Sequence, residues 1–240
     1  MNYTTTMRMP KPIALLVLLL VSPPSMASSA SATATTTTAA HFDGNTDDYL
    51  CFETRSELDQ AVQDYLGTDD VPRKQEVTLL YGPIRNWCVD QITDFHSLFA
   101  YATDFNEPLD GWNMSAATDL QGMFFHATAF NQDLSAWDVS HVTNMHGMFA
   151  FATTFDQNVQ AWDTSAVTSM HSMFLGATQF GGSDSRSSSS NTNCHALTTW
   201  DTRSLQETDM MLRGTRCTAQ DDLLFMLGEE AFASSSHKVD

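Results

Sequence analysis

Phe130-Asn131-Gln132-Asp133-Leu134-Ser135-Ala136-Trp137-Asp138-Val139-Ser140-His141-Val142-Thr143-Asn144-Met145 is one copy of a unit that returns along most of this chain. Trp137 has counterparts 25 residues away on either side, Trp112 and Trp162, and another at Trp87. Trp200 follows Trp162 after 38 residues, which is the same period with an insertion of 13. The inserted residues fall within 181–196, a stretch rich in Gly, Ser and Asn that reads as a loop.

Further columns appear when the copies are aligned on Trp. Five residues on stand Ile92, Ala117, Val142, Val167 and Leu205, and eight on stand Phe95, Leu120, Met145 and Met170, with Thr208 breaking the series. Eleven and twelve on stand Leu98-Phe99, Met123-Phe124, Met148-Phe149, Met173-Phe174 and Met211-Leu212. Ala102, Ala127, Ala152 and Ala177 follow at fifteen, then Phe105, Phe130, Phe155 and Phe180 at eighteen. A unit this short cannot bury its own apolar stripe, but stacked neighbours can bury it for one another. The degenerate fifth copy suits a terminal unit. Asp90, Ser115, Ser140 and Ser165, three residues after each Trp, are good helix N-caps, and apolar steps of three or four follow them. The pattern therefore predicts an α/β solenoid of about five units over 83–218, each a short strand, a turn, a helix of about three turns and a loop. Asn106, Asn131 and Asp156, just after the Phe column, are expected to form a polar ladder between loops.

Both ends of this array carry candidate caps. Within 51–82, Thr54 and Glu57 form a capping box, and Leu58, Ala61, Val62, Tyr65 and Leu66 follow at helical spacing until Gly67. At the other end, 219–240 includes an apolar helical stretch at 223–232. The chain opens with Arg8 and Lys11, a nine-residue apolar run at 13–21, and Ser25-Met26-Ala27 as a cleavage site, so 1–27 reads as a signal peptide. The run is shorter than the ~20 residues a bilayer span needs. An Ala, Ser and Thr-rich leader is expected over 28–50. These features predict a secreted or cell-surface protein with no stable membrane insertion once the signal is cleaved.

The units around Met123-Phe124, from Asn131 to Ser140, and at Val142-Thr143-Asn144-Met145 resemble the 25-residue repeat of the BspA-like surface-protein family. The resemblance covers Trp87 to about Thr218, and the helix at 52–66 with Tyr81-Gly82-Pro83-Ile84 is similar to the family's lead-in. It implies a right-handed leucine-rich-repeat-like solenoid on a cell surface, with adhesion or protein binding as the role and no catalytic residues to carry over. The chain departs from bacterial members in having no lipobox, its first cysteine being Cys51.

Acidic residues outnumber basic ones by 29 to 11 among 240, a formal charge of −18. Such a surface repels phosphate backbones, which excludes nucleic acid as a partner. Four cysteines in an exported chain imply two disulfides, and three connectivities are open. Pairing Cys51 with Cys88 and Cys194 with Cys217 would staple the two ends. A four-cysteine zinc site lacks the Cys-x-x-Cys spacing it needs.

His96, His146 and His171 stand nine residues after their Trp, with Gln121 in the gap. On helices packed side by side, His146 and His171 would lie about 8–10 Å apart near solvent. With Thr93, Thr118, Thr143 and Thr168 they mark one candidate binding face, the opposite strand face being equally available. Tyr101, Phe125 and Phe151 nearby are candidate aromatic anchors, with burial between adjacent helices as the main expectation. Asp138, Asp163 and Asp201 after Trp are read as turn caps rather than calcium ligands. Asn113-Met114-Ser115 is a glycosylation sequon. No nucleophile elbow, zinc-protease motif, phosphate loop or dinucleotide fingerprint occurs, so neither catalysis nor a cofactor is expected. The expected role is a non-catalytic interaction or adhesion module for an extracellular protein or glycan. A self-assembling coat protein and an extracellular hydrolase with its site beside 181–196 are the alternatives.

Overall fold

The computed structural model describes residues 49–67, 71–182, 193–194, 197–217 and 227. The signal peptide at 1–27, the leader up to residue 48, most of the insertion and the C-terminal stretch other than Leu227 lie outside the described residues. Two α-helices come first, α1 (Arg55–Leu66) and α2 (Val71–Tyr81), followed by a 3-10 turn at Ile84–Asn86. The capping box of Thr54 and Glu57 forms at the start of α1, and Gly67 ends it.

The repeats stack turn upon turn at a spacing of 25 residues. Asp94, Asp119, Asn144, Ser169 and Glu207, seven residues after their Trp, pair in succession as isolated parallel bridges. The helix of three turns predicted for each unit is not formed; among the described residues each copy is a chain of tight turns instead. Two residues in every copy hold the backbone in the left-handed region. Ten after Trp these are Ser97, Gly122, Gly147, Ser172 and Met210, and fourteen after Trp they are Tyr101, His126, Phe151, Gly176 and Gly214. Left-handed residues interrupt a right-handed helix. Leu98, Ala100 and Ala102 donate their amides to the carbonyls three residues back, while Phe95, Ser97, Phe99 and Tyr101 donate sideways to Asp119, Gln121, Met123 and Phe125. The same alternation is repeated from Leu120, Met145 and Met170. The N-cap reading of Ser115, Ser140 and Ser165 is corrected too. Their amides are received by Asn113, Asp138 and Asp163, so the cap is the residue just after Trp and it closes a turn.

The interior is apolar and continuous. Phe99, Phe124, Phe149 and Phe174 have no exposed surface and stack at 5.6, 5.5 and 5.6 Å between ring centroids. Phe105, Phe130, Phe155 and Phe180 form a second file at 5.9, 6.2 and 6.2 Å. Each buried Trp donates its indole N–H to a backbone carbonyl, Trp137 to Leu109 and Trp162 to Leu134, so no ring loses its hydrogen bond on burial. Asn106, Asn131 and Asp156 form the polar ladder, each side-chain oxygen accepting an amide from the next turn, at Asn131, Asp156 and Gly181.

The lead-in closes the first turn. Leu58, Ala61 and Val62 of α1 are buried, and Phe52 and Tyr65 pack against Trp87 at 5.2 and 5.6 Å. Arg55 reaches the carbonyls of Asp94 and His96 at 2.9 and 2.6 Å. Their equivalents in the next turn, Asp119 and Gln121, accept amides from the turn before. The guanidinium thus supplies the donors that a preceding turn would have supplied, which blunts an open edge. A disulfide joins Cys51 to Cys88, and a second joins Cys194 to Cys217. Beyond the fifth copy, buried Leu227 accepts the Thr208 hydroxyl through its carbonyl.

Candidate binding surface

The left-handed position fourteen residues after Trp is occupied by Tyr101 (φ 62°), His126 (φ 57°) and Phe151 (φ 60°) in the first three copies, and by Gly176 and Gly214 in the last two. Glycine enters this region without penalty, whereas a side chain there costs about 1–2 kcal/mol. Three bulky rings therefore stand where the backbone favours glycine, with Tyr101 exposed and His126 and Phe151 partly buried. Tyr101 keeps 67% of its surface exposed.

These rings form a ridge. Tyr101 stacks on His126 at 5.3 Å, and His126 stacks on Phe151 at 4.5 Å. Phe125, one residue earlier in its turn, meets Tyr101, His126 and Phe151 edge-on at 5.3, 4.7 and 5.9 Å. Phe151 ends the file over Gly176, where a Cβ would fall 2.7 Å from its ring. At the other end no further ring stacks on Tyr101 among the described residues. There the surface opens into a cleft of about 430 Å³ lined by Tyr65, Leu66, Lys74, Tyr101, Asp104 and Glu107. The Lys74 ammonium sits 4.1 Å from the centre of the Tyr65 ring. Burial, and then the Glu107 charge, push the Tyr65 hydroxyl up. The expectation that Tyr101, Phe125 and Phe151 lie buried between helices is corrected for Tyr101, which is exposed; Phe125 and Phe151 are partly buried, against His126 and one another instead of between helices.

The histidine column is tighter than helices would allow. His146 and His171 stack with ring centroids 4.8 Å apart, because adjacent turns are separated by hydrogen-bonded backbone and not by helix diameters. Burial, and then the neighbouring His171, push His146 down. Asp209 lies 3.9 Å from His171, and His96 is exposed on the first turn. Among the described residues no group of three or more His, Cys, Asp or Glu side chains is placed to hold a metal ion. In the threonine column the hydroxyls of Thr118, Thr143 and Thr168 donate to the carbonyls of Thr93, Thr118 and Thr143, so their protons serve the stack. Asp138 and Asp163 are held below the usual carboxylate range by the serines they cap, and Asp201, capped by Arg203, is lowered to about 2. Asn113 is exposed, and its side-chain oxygen accepts the Ser115 amide at 3.2 Å.

Residues 73–188 match the model of a family described as a Mycoplasma protein of unknown function, DUF285. The match takes in most of α2 and the first four copies of the repeat, which are thus similar to that family. No curated protein and no solved structure matches the chain. Among the described residues no helix is long and apolar enough to cross a membrane.

Proposed function

We propose that this chain is an extracellular solenoid that acts as a non-catalytic binding module, with the ridge of Tyr101, Phe125, His126 and Phe151 as its contact surface. The observation that carries the reading is the left-handed backbone beneath Tyr101, His126 and Phe151. The last two copies use glycine at the same position, so the fold does not need a ring there. Strained positions of this kind persist where they serve a purpose, and solvent-facing aromatics are common anchors at interfaces. A module reading also suits an interior in which Thr164, Ser172 and Asn193 are the buried polar side chains among the described residues. The Thr164 hydroxyl donates to a carbonyl, and Asn193 donates to Asp156. The hydrolase alternative has its site beside 181–196, most of which lies outside the described residues, and the alternative of a coat assembled end to end is disfavoured at the first turn by α1 and Arg55.

The test is to probe the full chain on peptide and glycan arrays beside a variant carrying Tyr101→Gly, His126→Gly and Phe151→Gly. The variant is expected to fold, because glycine suits all three backbones, and to lose the array signal. An unchanged signal removes the ridge from the reading. Reversible assembly by sedimentation, with no array signal, would favour the coat.

A further inference from the structure

We propose that the cleft at the Tyr101 end of the ridge takes an arginine or lysine side chain from a basic peptide segment. The cationic head would lie on the open face of Tyr101, with the carboxylates of Asp104 and Glu107 as its counter-charges. This deepens the reading of the ridge as the contact surface by naming what one end of it receives.

Four observations converge on a cation. Tyr101 stacks on His126, keeps most of its surface exposed, and lines a cleft of about 430 Å³. A planar, weakly hydrated guanidinium matches such a ring face well, and an ammonium also binds there. The cleft already contains one example of this chemistry, since Lys74 places its ammonium over the neighbouring Tyr65 ring. That leaves Tyr101 as the tyrosine of the pair without a cation. Asp104 and Glu107 line the same cleft, are exposed, and form no ion pair with a described residue. The two carboxylates outnumber the single ammonium of Lys74, so the cleft keeps a negative balance. Finally, the formal charge of −18 draws basic partners toward the surface and raises their rate of encounter. A neutral sugar could stack on the ring equally well, but neither the local nor the overall charge would favour it.

The probe is a short Gly/Ser peptide carrying a single arginine, compared with the same peptide carrying citrulline, which keeps the shape and loses the charge. Titration of the full chain by calorimetry is expected to show the arginine peptide binding at least ~10-fold more tightly, and more weakly as salt is added. Tyr101→Gly should leave the melting temperature within a few degrees of the parent and lose this binding. Asp104→Asn combined with Glu107→Gln should lose the preference for arginine over citrulline. Equal binding of the two peptides, no binding of either, or binding that survives both sets of substitutions overturns the proposal. So does a neutral oligosaccharide that binds more tightly than the arginine peptide without salt dependence. An array signal that needs the ridge but shows no arginine preference overturns only the ligand class, whereas a signal indifferent to the ridge removes the surface itself.

Discussion

Two of the aromatic files along this molecule run only two residues apart in each turn. Phe99, Phe124, Phe149 and Phe174 are wholly buried, identical through the first four copies, and stacked almost parallel. Tyr101, His126 and Phe151 are outside, differ from copy to copy, and give way to Gly176 and Gly214. The inner file gains the free energy of removing ring surface from water. The outer file is less buried, with Tyr101 exposed and His126 and Phe151 partly buried, and it holds an unfavourable backbone conformation. Residues of one chemical class thus contribute with opposite sign, depending on which side of the wall they face. What the fold requires is a large buried apolar side chain at the same register of every turn, Phe in four and Leu212 in the fifth, and what varies most between turns is what the fold leaves free.

The largest effect should follow from breaking the inner file. Phe149→Ala is expected to destabilise by about 3–5 kcal/mol, read as a shift in the urea midpoint, because it leaves a cavity between two stacked rings. Phe151→Ala, two residues on and half-exposed, should lower stability by ~1 kcal/mol or less. Similar losses for both would erase the distinction between the files. Gly176→Ala comes next, at about 1–2 kcal/mol from the backbone alone. A further penalty is expected from the Cβ placed 2.7 Å from the Phe151 ring. Combining it with Phe151→Ala should relieve the steric part and leave the backbone part, so the two substitutions should not add. Smaller still is Tyr101→Gly, which trades left-handed strain against the entropy of glycine. Thermal unfolding should shift by the equivalent of less than ~1 kcal/mol, toward higher stability. A clear loss would mean that the exposed ring supports the fold.

The inner file was legible because stacking demands the same residue type at the same register, and Trp, Phe and Met columns meet that demand openly. The capping box of Thr54 and Glu57 was legible for a different reason, being a contact between residues three apart. Apolar steps of three and four serve a chain of three-residue turns as well as a helix, which is why the pattern predicts helices that the repeats do not form. The decisive signal was available in the outer column: Gly176 and Gly214 share a register with Tyr101, His126 and Phe151, and glycine marks a left-handed position. His126 carries no mark beyond that column, so nothing else in the sequence singles out the ring that joins Tyr101 to Phe151. Arg55 left no trace at all, since the carbonyls it satisfies lie 39 and 41 residues away in sequence.

The histidine pair offers the finest test of how far a column on the outer wall can depart from the needs of the stack. His146 is pushed down by burial first and by the facing His171 second, with Glu207 opposing and His96 adding to the effect. Asp209 stands beside His171 on the other side. A histidine with a lowered value in the folded state binds protons more readily when unfolded. Its contribution to stability is therefore complete above the ordinary histidine range near 6.5 and is lost as pH falls toward the lowered folded value. The capped carboxylates Asp138 and Asp163 are pushed down as well, but their contribution fades only below the carboxylate range, so the interval between about pH 7.5 and 5 isolates the histidines. His146→Gln places in the third copy the residue that Gln121 already provides in the second. Urea midpoints measured at the two pH values should fall less in this variant than in the parent, by under ~1 kcal/mol, because solvent screens the pair. An equal fall in both proteins would show that the stacked rings carry no electrostatic penalty, and that this column, unlike the ridge, is simply another part of the wall.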